Sequence, residues 1–193
     1  MAEPVRTSPL VGVSGDAIPG PEPVAIHPLP FRGKLVLRGG AAIHAEAARV
    51  LGAQLPALMA SAGSEHADVL GLGPDEWLIL TGPDNVEALA TELSAALGTV
   101  HHAVVVVSDR MIGIGVAGRR ARDVLAAGCP LDLHPAVFAP GAATRTLLGK
   151  AAVVLRRPDP AERYELWVNG SFAPYLWLFL RNAAFEFGVT SAA

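Results

Sequence analysis

Apolar and polar positions follow two rhythms along this chain, one strand-like and one helical. Lys34-Leu35-Val36-Leu37-Arg38 is a short apolar run closed by Gly39-Gly40, which predicts a strand. Ile43, Ala47, Val50 and Leu51 then fall at helical spacing, and Pro56 ends that helical region. Ala67 to Leu72 and Glu76 to Leu80 predict two strands joined by a Gly73-Pro74-Asp75 turn, a hairpin. Asp84 and Glu87 have capping-box spacing and open a helix whose stripe is Val86, Leu89, Ala90, Leu93 and Leu97, stopped by Gly98. Val100 to Val107 is the strand that follows. The order β-α-β-β-α-β is the split-βαβ, or ferredoxin-like, unit.

The second half nearly repeats the first. Met111 to Val116 predicts a strand, and Arg119 to Ala127 a helix with Ala121, Val124 and Leu125 inward and Gly128 at its end. Strands follow at Ala143 to Leu148, Ala151 to Arg156 and Tyr164 to Val168. A last helix opens at Ser171 as N-cap and runs towards Gly188. Phe172, Tyr175, Leu176, Phe179, Leu180, Ala183 and Phe187 form its predicted core stripe. The expected fold is therefore α+β, two ferredoxin-like units in tandem rather than a doubly wound parallel sheet. Residues 33–193 are expected to be one domain with pseudo-repeats at about 33–107 and 108–190. Residues 1–32 carry seven prolines from Pro4 to Pro30 and are expected to build no regular ladder. That lead is either a free tail or an extended arm laid over a partner's surface.

Composition narrows the function. A chain of 193 residues with 51% hydrophobic residues can bury a sizeable core. The mean hydropathy of +0.39 is high, yet no apolar run approaches the roughly 20 residues of a membrane span. The excess apolar surface points to a protein partner. A net charge of −3 gives no footprint for nucleic acid. Cys129 is the only cysteine, which fits a reducing compartment, and Glu3, Pro4, Arg6 and Pro9 interrupt any secretory core; a cytoplasmic location is expected.

Gly113, Gly115 and Gly118 spell G-x-G-x-x-G, the phosphate-cradling fingerprint of a dinucleotide site. That site needs the glycines in a turn directly after a strand, with pyrophosphate on the next helix N-terminus. Here Ser108-Asp109-Arg110 separates them from the valine run, and Gly113 and Gly115 fall inside a second short strand. The competing explanation is close packing, small residues where the strand crosses over a helix.

Other chemistry is sparse. Cys129 and His134 have the residue types of a nucleophile and base, but no third orienting group accompanies them. A buried structural cysteine at a helix stop is the simpler reading. His101 and His102 are adjacent on a strand, so their rings point to opposite faces. Asp75-Glu76 reads as turn chemistry, and Arg119, Arg120 and Arg122 beside Asp123 as a solvated helix face. Trp177 lies five positions after Phe172, about 140° around the helix and off the predicted stripe. Trp177, Leu178 and Trp77 are therefore expected at a partner interface.

Four phrases carry a family resemblance: Gly71-Leu72-Gly73-Pro74-Asp75-Glu76-Trp77-Leu78-Ile79-Leu80, Val107-Ser108-Asp109-Arg110, Leu125-Ala126-Ala127-Gly128-Cys129-Pro130-Leu131-Asp132-Leu133, and Ser171-Phe172-Ala173-Pro174-Tyr175-Leu176-Trp177. In this order, from about Arg38 to Phe187, the chain resembles the gamma subunit of heterotetrameric sarcosine oxidase. That subunit is in turn similar to the folate-binding fold of the glycine-cleavage T-protein. The resemblance implies a flavoenzyme complex that oxidatively demethylates sarcosine to glycine, makes hydrogen peroxide and passes the one-carbon unit to tetrahydrofolate. It implies alpha, beta and delta partners, which hold FAD, FMN, NAD and zinc between them, and no catalytic residue, cofactor or metal on this chain. T-protein relatives carry a Phe-Asp-Val-Ser phrase whose carboxylate would fall at Val106. They also carry an Asn-x-x-Gly-Gly…Asp-Asp segment that would fall near Leu148 to Arg156, where this chain has no acidic residue. The alternative is a stand-alone folate-binding protein akin to the T-protein or its iron–sulfur-assembly relatives. The latter carry Lys-Gly-Cys-Tyr-x-Gly-Gln, for which Ala127-Gly128-Cys129-Pro130 is a poor substitute.

Overall fold

The computed structural model describes residues 7–12 and 17–191. The first unit contains β2 (Gly33–Gly39), α1 (His44–Leu51), β3 (Ser61–Gly63), β4 (Ala67–Gly71), β5 (Glu76–Thr81), α2 (Val86–Leu97) and β6 (His102–Val106). Its sheet has the order β3-β4-β5-β2-β6, all neighbours antiparallel, so the ferredoxin-like order is present with β3 added outside β4. The second unit contains β7 (Met111–Ala117), α3 (Ala121–Ala126), β8 (Ala143–Leu148), β9 (Ala151–Arg156), β10 (Arg163–Asn169), α4 (Ala173–Ala183) and β11 (Val189–Ser191). Its sheet has the order β11-β1-β7-β10-β9-β8, where β1 is Val24–Pro28.

That β1 corrects the reading of the lead. Val24-Ala25-Ile26-His27-Pro28 pairs antiparallel with β7 and parallel with β11, and takes the place beside β7 that β6 takes beside β2. The second unit is thus completed by chain from before the first. Two prolines bracket the strand without breaking its ladder, because Pro23 precedes it and Pro28 is its last residue. Val24 and Ile26 point into the core at 0% and 2% exposure. Further up the lead, Leu10 is also buried in that core.

Strand alternation distributes the apolar residues over three clusters. Leu35, Leu37, Val69, Trp77 and Ile79 pack against α1 and α2. Ile114, Val116, Val153, Leu155, Leu166 and Val168 pack against α3 and α4. The intervening residues Leu70, Leu78, Leu80, Val154 and Trp167 meet between the two sheets. Four layers result, helix–sheet–sheet–helix, with both faces of the inner strands covered and β6 left partly open. This is why the strands read as continuous apolar runs.

Ion pairs tie the two sheets at opposite ends of the β4–β5 hairpin. At one end Asp68 on β4 accepts from Arg156 on β9 at 2.7 Å and from Arg32 at 2.5 Å, with Glu165 3.4 Å from Arg156. At the other end Glu76 on β5 pairs with Arg145 on β8 and lies 3.7 Å from Arg38.

Helix starts differ from expectation. Asp84 and Glu87 form no capping box; a 3₁₀ turn over Pro83–Asn85 leads into α2, whose N-cap Asn85 makes no side-chain cap bond. Ser171 likewise lies in a 3₁₀ turn, and α4 begins at Ala173. Gly52, in the left-handed region, ends α1 before Pro56 can.

Candidate functional site

A cavity of about 550 Å³ lies where β2, β7 and β10 approach one another. Leu29, Phe31, Met111 and Trp167 form its apolar walls, Asp109 lies at its side, and Thr7 to Pro9 of the lead line it as well. Lys34 and Asp109 are the charged groups among the lining residues, and Lys34 is only 1% exposed. β2 alternation turns Lys34 to the inter-sheet side. Its Nζ donates to the carbonyls of Arg32 at 2.7 Å and Ser108 at 2.8 Å. The same ammonium sits 4.4 Å from the Phe31 ring centroid and 5.4 Å from that of Trp167. Carbonyl dipoles and aromatic faces compensate the desolvation of this cation. The cavity is lined by a buried ammonium and a carboxylate among apolar walls; the cysteine and the paired histidines lie elsewhere.

Those candidates stay separate. Cys129 Sγ is 3.9 Å from Thr146 Oγ1, while His134 Nδ1 accepts from the Ala136 N–H at 3.2 Å. His102 Nδ1 is 2.6 Å from the Val100 carbonyl, and His101 is exposed on the neighbouring position. Asp75 and Glu76 do more than form a turn: both face Arg38, and Glu76 bridges the sheets through Arg145. Arg120 binds Glu22 at 2.9 Å and Asp123 at 3.1 Å, and so clamps the lead to the start of α3. Burial raises the Asp68 carboxyl, but the hydrogen bonds from Arg156 and Arg32 outweigh it and hold the group below its ordinary range. The Arg145 hydrogen bond does the same for Glu76 against a smaller burial effect.

The glycine fingerprint is a packing feature. A Cβ on Gly113 would stand 2.8 Å from the Trp167 ring, and one on Gly115 would stand 2.4 Å from His27 Nε2. Both glycines sit inside β7 beneath side chains of its neighbours β10 and β1, not beneath a helix and not in a strand-to-helix turn. The space a pyrophosphate would need is filled, so these residues do not fit a dinucleotide.

The two tryptophans expected at a partner interface are core residues. Trp177 is 3% exposed and belongs to the core under α4, together with Ala173, Leu176 and Leu180. Trp77 is 2% exposed; its Nε1 donates to the Pro56 carbonyl at 2.9 Å, and its ring meets the His44 ring edge-on. Neither presents a surface. Leu178 does, and the outer band of α4 also shows Phe172, Tyr175 and, just beyond the helix, Phe185. Tyr175 Oη accepts from the Lys150 N–H at 3.0 Å, which fixes that ring in the band. Counting the core stripe from Ala173 rather than Phe172 finds this arrangement.

The family model of the sarcosine oxidase gamma subunit matches residues 38–186. The chain belongs to the sarcosine oxidase gamma subunit family. Among curated members, the sarcosine oxidase subunit gamma of an Arthrobacter species is 37% identical over 66% of this chain, and that of Corynebacterium sp. strain P-1 is 38% identical over 77%. The matched stretches span 63% and 71% of those two gamma subunits. A chain of the heterotetrameric sarcosine oxidase from Corynebacterium sp. U-96, solved with pyrrole 2-carboxylate, superposes with a TM-score of 0.83 at 29% identity. That superposition covers 97% of this chain and 99% of the other. Aminomethyltransferase T of the glycine cleavage system from Bartonella henselae shares the fold of this gamma-family chain, with a TM-score of 0.63 at 14% identity over 88% of this chain and 47% of that one. No helix among the described residues is long and apolar enough to cross a membrane.

Proposed function

We propose that this chain serves as the gamma subunit of a heterotetrameric sarcosine oxidase and contributes binding surface rather than catalytic groups. The observation that carries the reading is the end-to-end superposition, 97% of this chain on 99% of a chain from a heterotetrameric sarcosine oxidase. The complex would demethylate sarcosine oxidatively to glycine, reduce oxygen to hydrogen peroxide and deliver the one-carbon unit to tetrahydrofolate. FAD, FMN, NAD and zinc would be held by its alpha, beta and delta subunits, in the cytoplasm. A binding role is supported by where the chemistry-bearing side chains sit: Cys129 against Thr146, His134 on its own turn, and Lys34 locked by two backbone carbonyls.

The α4 band is the proposed partner surface. Leu178 at 57% exposure and Phe185 at 69%, with Phe172 and Tyr175 beside them, leave more apolar surface than one core covers. The test is co-expression with the alpha, beta and delta subunits from the same operon, comparing the natural chain with Leu178→Asp. We expect the natural chain to co-purify in a flavin-containing complex and Leu178→Asp, folded to the same melting temperature, to be recovered in it at least tenfold less. Equal recovery of both would remove α4 from the interface. No recovery of the natural chain would remove the subunit reading itself.

A further inference from the structure

We infer that β6 is the docking edge for an extended acidic–apolar segment of another subunit, a proposal that rests on the subunit reading above. β6 is the outermost strand of its sheet. The Val107 N–H donates to the Lys34 carbonyl, and Val106 stands opposite Leu35. Alternation in an antiparallel ladder then turns the N–H groups of Val104 and Val106 away from β2, towards the open side.

Natural sheets blunt such edges with lysine, proline, bulges or a covering element. The strand His102-Ala103-Val104-Val105-Val106 carries no lysine and no proline, and Val105 and Val106 are 51% and 37% exposed. Two other edges of this molecule are managed. β3 has three residues, and its Ser61 donates from backbone and hydroxyl to the Gly141 carbonyl at 2.7 and 2.8 Å. The start of β8 is tied through the Ala143 N–H to the Met59 carbonyl at 3.2 Å.

The face next to β6 indicates what the added strand would carry. Val105 stands opposite Val36. Val36 lines an apolar recess of about 150 Å³ together with Leu72, Leu78 and Met111, and Arg110 and Arg145 stand on its rim. Arg145 is bound to Glu76. The Arg110 side chain makes a long 3.4 Å contact with the Asn169 side-chain oxygen rather than an ion pair among the described residues. A strand laid along β6 would gain main-chain hydrogen bonds from Val104 and Val106. One apolar side chain would continue the Val105–Val36 surface, and a carboxylate would complement Arg110.

The test uses the full chain alone and in the co-expressed complex. Hydrogen exchange over residues 102–107 should slow at least tenfold on assembly. Val106→Pro removes an outward N–H while leaving the β2 ladder intact, and Val105→Lys places a gatekeeper charge at an exposed position. Each should weaken assembly tenfold or more without lowering the melting temperature of the isolated chain. Arg110→Glu should weaken it several-fold, and Arg110→Lys should restore most of the loss. Should Val106→Pro fail to fold, Val105→Lys and the exchange data decide. The inference is overturned if Val105→Lys assembles like the natural chain and residues 102–107 exchange equally fast in both states. It is also overturned if the isolated chain forms concentration-dependent dimers that protect the same amides, since the occupant would then be a second copy. Loss of assembly by Leu178→Asp but not by the β6 variants would sink this inference alone, whereas failure of the natural chain to assemble would sink both.

Discussion

Replacing Trp177 by alanine separates core from surface on α4 at two adjacent positions. Trp177 is 3% exposed in the core beneath the helix, whereas Leu178 is 57% exposed. A buried tryptophan removes about 200 Å² from water, and at about 25 cal/mol per Å² this sets an upper value near 5 kcal/mol. Core Trp→Ala changes cost about 3–5 kcal/mol once the cavity is included. One effect opposes the loss: Trp177 Nε1 is buried without a hydrogen-bond partner. Deleting that donor returns about 1–3 kcal/mol of desolvation cost. A net loss centred on about 2 kcal/mol remains, and at about 2–4 °C per kcal/mol for this size the melting temperature should fall by roughly 4–8 °C. Leu178→Ala should stay within about 0.5 kcal/mol of the natural chain. Trp177→Phe keeps most of the apolar area, loses the orphan donor and should be nearly neutral. Thermal melts of the three variants by circular dichroism measure this. A Trp177→Ala melt within 2 °C of the natural chain, or a larger drop for Leu178→Ala, would refute the packing reasoning.

Further outcomes follow from the same contacts. Asp68 and Glu76 are held below their ordinary values of 3.8 and 4.5, so the unfolded chain takes up protons first as pH falls. Their stabilisation is complete above those values and is lost below them; Asp68→Asn should melt lower at pH 7 and show a flatter pH dependence below about pH 4. Burial, aided by the Arg163 charge, lowers the His27 imidazole from 6.5, so stability should decline as pH falls from 7 towards 5, and His27→Gln should remove that slope. Gly115→Ala drives a methyl into the His27 ring and should cost about 1–3 kcal/mol in urea denaturation. Calorimetric titration of the isolated chain with tetrahydrofolate should give no heat of binding; a micromolar site would favour the stand-alone folate reading.

Most strands were legible because both faces of the inner strands are covered, which writes them as continuous apolar runs such as Ala151–Arg156 and Glu76–Thr81. β1 was hidden because its ladder is supplied by β7 and β11, more than 80 residues away, and its prolines sit where they do no harm. Of the predicted α4 stripe, Leu176, Phe179, Leu180, Ala183 and Phe187 do pack into the core, but counting phase from Phe172, which precedes the helix, includes Phe172 and Tyr175 and leaves out Trp177. Ala173, Leu176, Trp177, Leu180 and Ala184 have the i, i+3, i+4, i+7 pattern of the buried face, and Phe172 and Tyr175 fall outside it. The capping phrases failed because 3₁₀ turns precede α2 and α4 and shift their first residues past Asp84 and Ser171. The inter-sheet ion pairs were beyond sequence reading: Asp68 and Arg156 are 88 positions apart and meet only once the two sheets stack.

Reconstitution decides whether this chain is an oxidase subunit. The chain is mixed or co-expressed with the other subunits proposed for its heterotetramer, and the product is sized and assayed for sarcosine-dependent hydrogen peroxide. The expected product is a flavin-containing complex with one copy of each chain, active on sarcosine, while this chain alone shows no oxidase activity. A chain that remains separate while the other three form a stable, fully active enzyme, or one that oxidises sarcosine by itself, would contradict the subunit reading.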